Sequence, residues 1–207
     1  MALVKYNNNS LSAITAAAAM PAGAMTLIKE VTASSSATIT FVHGTSDVDL
    51  DATYPIYLFK YINVHPATDG ANFTFNLSID SGSNYNVTKT TTYFRAYHAE
   101  GDGAAAVAYD TGQDLAQSTA FQGLAESIGN DADQSCSGSL QLFNPSDTTF
   151  VKHFMSNNNA YYDGDYSINN YMSGYGNTTS AVNGIQFKFD SGNIDAGTIK
   201  LYGIKDS

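Results

Sequence analysis

Short runs of alternating apolar and polar residues, separated by turns, constrain this chain more than any other feature. In residues 72–80, NFTFNLSID, the pattern predicts four inward side chains (Phe73, Phe75, Leu77, Ile79) and three outward ones (Thr74, Asn76, Ser78). Such alternation is typical of a half-buried strand, because successive side chains point to opposite faces. Similar runs occur around residues 37–44 and 197–204, without intervening helical segments. We therefore predict an all-β, antiparallel β-sandwich of the jelly-roll kind.

Four other segments refine this prediction. Residues 54–64, YPIYLFKYINV, are apolar at both alternating sets of positions and predict a central strand covered on both faces. Residues 138–156 predict two strands joined by a turn at 144–147, and residues 184–204 predict a final hairpin. Residues 113–128 fit either a helix or a strand, and the turn residues Gly129 and Asn130 favour the strand.

The chain divides into an arm and one domain. Its 207 residues are enough for a single domain with a substantial core. Residues 1–25 lack the periodicity of a core element, and Pro21 and Gly23 would end any short alanine helix. We predict an extended N-terminal arm over residues 1–25, packed along its own domain or a neighbouring subunit, and a β-sandwich domain over 26–207.

Composition excludes several classes of partner. The net charge is -10, with only nine Lys and Arg residues, so no basic patch is expected to neutralise nucleic-acid phosphates. No segment approaches the roughly 18 apolar residues of a membrane-spanning helix, and we expect no membrane insertion. Cys136 is the only cysteine, which excludes an intramolecular disulfide and favours synthesis in a reducing compartment.

Three aspartates offer a candidate metal site. Asp47, Asp49 and Asp51 lie on one side of the chain if its backbone is extended, and their carboxylates are ligands of the type that calcium prefers. The alternative is a solvated turn, because the positions where an EF-hand loop needs Gly and Glu hold Ala52 and Leu58. Apart from this candidate calcium ion, we expect no cofactor.

Catalytic motifs are missing from the sequence. It contains no nucleophile elbow, Walker A loop, zinc-binding HExxH motif or dinucleotide fingerprint, and its four histidines are not paired at metal-binding spacing (His43, His65, His98, His153). We therefore expect a protein that is not an enzyme.

Tyrosines are concentrated in one stretch. Residues 157–178 are rich in Asn, Gly and Ser and predict a long loop that carries five of them (Tyr161, Tyr162, Tyr166, Tyr171, Tyr175). Tyrosine among small polar residues is typical of binding surfaces, since the rings supply rigid contact area and their neighbours supply hydrogen bonds. We predict that this loop contacts a partner or a glycan; the alternative is that the rings only cover the end of the sandwich.

Three stretches together suggest a family. Residues 57–86, 140–154 and 191–204, with the motifs YLFKYINVHPATDGANFTFNLSIDSGSNYN, LQLFNPSDTTFVKHF and SGNIDAGTIKLYGI, resemble virion structural proteins of marine tailed phages, cyanophages among them. The resemblance covers about residues 25–207 and implies a protein of the virion surface, made in the cytoplasm of a bacterial host. A disulfide-free, self-associating sandwich suits that role.

Three functions follow as hypotheses. The first is a capsid decoration or cement protein that forms a homo-oligomer, with a trimer as the first expectation, and docks on phage capsid or tail proteins. The second is a tail-fibre or receptor-binding module that recognises a glycan on the host surface. The third is a glycan-degrading enzyme, which needs only two suitably spaced carboxylates.

Overall fold

The computed structural model describes residues 24–205, which form twelve β-strands and no helix. In chain order the strands are β1 (Met25–Thr32), β2 (Ile39–Val42), β3 (Ile56–Pro66), β4 (Ala71–Ser78), β5 (Lys89–Ala99), β6 (Ala105–Tyr109), β7 (Gln122–Ile128), β8 (Cys136–Phe143), β9 (Lys152–Tyr162), β10 (Tyr166–Gly176), β11 (Gly184–Phe189) and β12 (Ile194–Ile204).

The strands form two layers. All twelve belong to one continuous sheet that folds over itself: eight strands, in the order β1-β12-β3-β8-β9-β10-β5-β6, form one layer, called here the large sheet, and four, in the order β7-β4-β11-β2, form the other, called the small sheet. Every pairing is antiparallel. The layers are joined where Ile128 of β7 pairs with Tyr162 of β9. This architecture confirms the predicted all-β antiparallel sandwich.

Aromatic side chains fill the space between the layers. Phe59 of the large sheet lies 5.4 Å, between ring centroids, from both Phe41 and Phe187 of the small sheet. Phe73 of β4 stacks on Phe187 at 5.9 Å. These four rings are completely buried, and each contributes about 1.5–3 kcal/mol by leaving water. The core therefore holds the two layers together mainly through the inward residues of β2, β3, β4 and β11.

The alternation predicted in β4 is correct for the inward side only. Phe73, Phe75 and Leu77 are buried as expected, but Thr74, Asn76 and Ser78 are buried too. Connecting segments cover this side of the small sheet, and the Asn76 amide donates hydrogen bonds to the carbonyl oxygens of Tyr85 and Thr119 (2.7 and 3.0 Å). Ile79, predicted to point inward, is 43% exposed because β4 ends at Ser78.

Strand β3 departs from prediction in the opposite direction. Its core face is buried as expected, but Lys60 and Ile62 on the other face are exposed. Among residues 24–205, no layer covers the large sheet on that side, although Leu58 on the same face is only 8% exposed. The prediction of a strand covered on both faces is wrong, because apolar residues at both sets of positions reflect here an apolar outer surface rather than a second core.

The predicted loop and the predicted final hairpin are also wrong. Residues 157–178 are not a loop: they belong to β9 and β10, which form a hairpin with its turn at residues 163–165. Residues 184–204 are not a hairpin, because β11 pairs with β2 and β4 in the small sheet while β12 pairs with β1 and β3 in the large sheet. The short connection at residues 190–193 therefore crosses from one layer to the other.

Other predictions of local structure are confirmed. Residues 122–128 form strand β7 rather than a helix, and residues 144–147 connect β8 to β9 through a turn. Strands β1 and β6 were not predicted. The predicted arm, residues 1–25, lies outside the described residues except for Ala24 and Met25, and Met25 is already the first residue of β1. No helix in residues 24–205 is long and apolar enough to cross a membrane.

Candidate functional site

The β9–β10 hairpin distributes the five candidate tyrosines over both faces of the large sheet. Because side chains alternate along a strand, Tyr162 and Tyr166 point toward the sandwich interior, on the same side as the buried Ile168. Three others point away from it (Tyr161, Tyr171, Tyr175). The tyrosines therefore do not form a single patch, and each group belongs to a different surface.

The inward tyrosines line a cleft. Its walls are Arg95, Tyr97, Ala104, Tyr162, Tyr166 and Ile168, and it encloses about 190 Å³; we call it the Arg95 cleft. Tyr166 meets both Tyr97 and Tyr162 edge to face, each at 5.7 Å between ring centroids. The Arg95 guanidinium lies over the Tyr97 ring at 5.8 Å. Three aromatic rings and one cation thus surround a space the size of a small polar molecule.

The cleft exists because the small sheet is narrower than the large one. Strand β7 is the edge of the small sheet on this side and meets β9 at only one residue pair, Ile128 with Tyr162. Strand β7 packs over the inward face of β5 as far as Arg95, through contacts of Gln122 with Thr91, Leu124 with Tyr93 and Glu126 with Arg95. Tyr97 follows these contacts along β5, and the cleft opens at this end of the strand.

Three charged side chains meet beside the cleft. Arg95 donates a hydrogen bond to the Glu126 carboxylate and lies 3.3 Å from Asp110. The Glu126 side chain is only 5% exposed, and burial raises the pKa of its carboxyl group while the hydrogen bond from Arg95 opposes that shift. The same hydrogen bond raises the pKa of the Arg95 guanidinium, so its positive charge is maintained.

Unpartnered polar atoms are concentrated in this cluster. In residues 24–205, four buried side-chain nitrogen or oxygen atoms have no hydrogen-bond partner: Arg95 Nε, Glu126 Oε1, and both Nδ2 and Oδ1 of Asn170. Asn170 is completely buried and pairs with Arg95 across β10 and β5. A buried polar group without a partner costs about 1–3 kcal/mol, so such atoms are normally satisfied by water or a ligand. Of these three residues only Arg95 lines the cleft, so the atoms of Glu126 and Asn170 lie behind its wall.

The opposite face of the large sheet forms a second candidate surface. We call the side that points away from the small sheet the outer face. Among the described residues, nine large apolar side chains are exposed, and strand register places seven of them here (Met25, Leu27, Ile62, Phe94, Val107, Tyr109, Met155). The other two, Ile79 and Phe150, lie in connections between strands. Exposed apolar residues gathered on one surface mark an interaction site.

Half of the outer face is also uncharged. The outward side chains of β8, β9, β10 and β5 include no Asp, Glu, Lys or Arg, although the chain as a whole carries a net charge of -10. Phe94 and Tyr171 stack face to face there, with centroids 4.8 Å apart. They border a shallow groove of about 340 Å³ that also contacts Met155 and Asn157. Apolar rings, amides, hydroxyls and the imidazoles of His98 and His153 thus form one continuous surface without outward Asp, Glu, Lys or Arg side chains on these four strands.

The three aspartates of the predicted calcium site have separate roles. Asp49 lies 3.9 Å from His43, and Asp47 is exposed in a turn. Asp51 accepts hydrogen bonds from the Thr53 backbone N–H and the Tyr57 hydroxyl, and the first of these lowers the pKa of its carboxyl group. In the part of the chain that the structure describes, no three His, Cys, Asp or Glu side chains are placed to hold a metal ion. The fold gives the calcium prediction no support.

Sequence reasoning missed the buried charges of β5 and β9. Lys89 and Lys152 are completely buried. The Lys89 ammonium donates to Asn76 Oδ1 (2.6 Å) and to the Val87 carbonyl oxygen (2.8 Å), and burial lowers its pKa to about 7. Strand alternation in KTTTYFRAYH places Lys89 and Arg95 on one face, but the sequence has no signal that this face is the inner one.

Comparison with known proteins adds no identification. No protein-family model matches the chain, and searches of curated proteins and of solved structures found no match. Fold and surface chemistry are therefore the basis for any functional assignment, and the resemblance to phage virion proteins stays a prediction from the sequence.

Proposed function

We propose that this chain is a non-enzymatic structural protein of a tailed-phage particle, which decorates or cements the capsid as a homo-oligomer. The observation that carries the proposal is the neutral, apolar outer face of the large sheet. The resemblance of residues 57–86, 140–154 and 191–204 to virion proteins supplies the phage context. Its partners on the virion surface are then capsid or tail proteins. The chain itself is synthesised in the bacterial cytoplasm before it attaches to the particle.

A second copy of the chain is the occupant that best fits the outer face. Copies with a net charge of -10 repel each other, and contact between uncharged faces brings the fewest like charges together. Eight strands about 4.8 Å apart and up to eleven residues long give a face of roughly 35 by 35 Å. That area exceeds the roughly 800 Å² per partner of a standard stable interface.

Self-association is tested by measuring mass in solution. We expect an oligomer for the wild-type chain by light scattering after size-exclusion chromatography. Met155→Glu and Val107→Glu place a charge on the outer face and should shift the protein to monomer. Phe150→Glu is the matched control, because Phe150 is 69% exposed but lies outside this face, and it should leave the oligomer intact. A monomeric wild type, or equal effects of all three changes, would contradict the proposal.

Attachment to the particle needs a separate experiment. Antibodies against the purified protein, used for immunogold labelling of the encoding phage, should mark the capsid surface at regular spacing. Labelling of the tail tip alone would favour the receptor-binding alternative, and unlabelled particles would exclude a virion role. Deleting residues 2–23 tests the predicted arm: a truncated protein that still assembles and still attaches to particles would show that the arm has no such role.

A second candidate function has its own supporting observation. The Arg95 cleft combines aromatic rings with polar atoms that lack partners, which suits a receptor-binding module that recognises a host-surface glycan. On a glycan array, Tyr162→Ala should lose binding, since Tyr162 lines the cleft. Tyr161→Ala should retain it, since Tyr161 points to the outer face. The glycan-degrading enzyme remains a third proposal, tested by turnover of host envelope polysaccharide.

A further inference from the structure

Donor and acceptor groups lie side by side at the Arg95 cleft and directly behind its wall. Arg95 Nε and Asn170 Nδ2 are donors, while Glu126 Oε1 and Asn170 Oδ1 are acceptors. Glu126 and Asn170 do not line the cleft: they lie behind Arg95, which bonds to Glu126 and pairs with Asn170 across the strands, so the polar side chains of the walls themselves are Arg95, Tyr97, Tyr162 and Tyr166. A hydroxyl group both donates and accepts, so a molecule with several hydroxyls can satisfy donors and acceptors that lie side by side.

The charge around the cleft argues for a neutral ligand. Arg95 already lies between two carboxylates, Glu126 and Asp110, so the three groups together carry one net negative charge. A carboxylate or phosphate would meet a guanidinium whose charge is already compensated, and it would be repelled by the second acid. A cationic ligand would compete with Arg95 for the Tyr97 ring, which the guanidinium already covers.

The aromatic walls add the remaining requirement. Tyr97, Tyr162 and Tyr166 present ring surfaces and hydroxyls to the same space of about 190 Å³. Aromatic rings pack against the C–H groups of a ligand while their hydroxyls hydrogen-bond at its rim. A cyclic polyol has apolar C–H faces and polar edges, which matches this combination, and one six-membered ring is the size that the space accepts.

We propose that the Arg95 cleft binds one neutral pyranose ring of a glycan, with Tyr97, Tyr162 and Tyr166 against its C–H faces and the Arg95 guanidinium bonded to its hydroxyls. This assignment rests on the second candidate function and specifies its ligand. It does not depend on self-association through the outer face, which involves the opposite side of the sheet and is measured separately by solution mass.

The test uses free sugars as probes of the full-length protein. Saturation-transfer NMR should detect glucose, galactose, mannose or N-acetylglucosamine, while glucuronic acid, sialic acid and inorganic phosphate should give no transfer. Tyr166→Ala should weaken binding about tenfold, because it removes the ring shared by both edge-to-face pairs. Tyr171→Ala is the matched control on the same strand, and binding should persist because Tyr171 points to the outer face.

A second variant keeps the proposal testable if Tyr166→Ala does not fold. Ala104 lines the cleft from the turn between β5 and β6, and Ala104→Leu fills the space without removing any contact. It should abolish sugar binding and leave the melting temperature unchanged. Wild-type protein that binds no neutral sugar overturns the proposal. So does sugar binding that survives Ala104→Leu, or a preference for the anionic probes. Solution mass is recorded in parallel, so a failure of this site is distinguished from a failure of self-association.

Discussion

The inward face of the large sheet has two halves with opposite chemistry. On β3 and β12 it is apolar: Phe59, Ile199 and Leu201 are completely buried against one another and the small sheet. On β5, β9 and β10 it is mixed: beside buried apolar residues such as Phe154 and Met172 it holds charged groups and amides (Lys89, Asn158, Asn170), with Arg95 at the open end, and we call it the polar half. Both halves belong to one continuous sheet of the same sandwich.

This difference shows that the apolar contacts that stabilise the fold and the polar groups that a binding site requires follow different energetic rules. Apolar burial needs no specific partner, since its free energy follows the area removed from water. Buried polar groups are favourable only when every donor and acceptor is satisfied, and around Arg95 four atoms are not. The apolar half therefore supports the fold, while the polar half holds buried donors and acceptors whose cost the apolar core must offset.

The largest expected effect comes from the aromatic core between the apolar half and the small sheet. Phe187 packs against Phe59 and Phe73 at 5.4 and 5.9 Å, so Phe187→Ala should lower the free energy of unfolding by about 3–5 kcal/mol through lost burial and a new cavity. Denaturant unfolding measures this loss. Phe150→Ala is the control, because Phe150 is mostly exposed, and it should change stability little. Similar losses for both variants would mean that the aromatic core does not dominate stability.

The polar half should respond less and in a different way. Glu126→Ala leaves the partly buried Arg95 guanidinium with Asp110 as its remaining acidic partner, and we expect a loss of about 2–3 kcal/mol. Replacing all three charges, Arg95→Met with Glu126→Leu and Asp110→Asn, should recover most of it, since no charge then stays buried without its partner. A triple variant less stable than Glu126→Ala would show that the charged cluster itself stabilises the fold.

Sequence patterns predicted the apolar half far better than the polar half. Alternation in residues 72–80 identified the core positions of β4, and the terminal strand shows buried Ile199 and Leu201 as its pattern indicates. These predictions succeed because hydrophobic burial acts on each strand locally. Pairing between strands was less predictable: β11 and β12 are adjacent in sequence, yet they belong to different layers.

The candidate site was predicted only in part. Tyr162 and Tyr166 do line the cleft, but the Asn-rich stretch around them was interpreted as a loop, because polar residues usually avoid the interior. Asn158 and Asn170 are buried in strands instead, where pairing satisfies their backbone groups. The charged cluster comes from three separate parts of the chain: Arg95 lies in β5, Glu126 in β7 and Asp110 directly after β6. No spacing in the sequence indicates that these side chains meet.

The smallest expected effect depends on pH and concerns Lys89. Unlike Arg95, Lys89 is a buried cation without an acidic partner. Lys89 bonds only to neutral oxygens, and burial lowers its pKa from 10.5 in the unfolded chain to about 7. Between those values the unfolded chain binds more protons than the folded one, so stability rises with pH. Lys89 is half protonated near pH 7, and the gain from pH 7 to 9 should be about 2 kcal/mol.

Lys89→Met should remove this rise, because the variant has no amine to deprotonate at that position, and it should be more stable than wild type at pH 7. Lys60→Met is the matched control: Lys60 is exposed on the outer face, so the variant should keep the wild-type pH dependence. Urea unfolding at pH 7, 8 and 9 measures all three proteins. A wild-type stability that is flat or falling over this range would show that Lys89 stays charged in the folded protein, and the polar half would then tolerate a buried cation without an acidic partner.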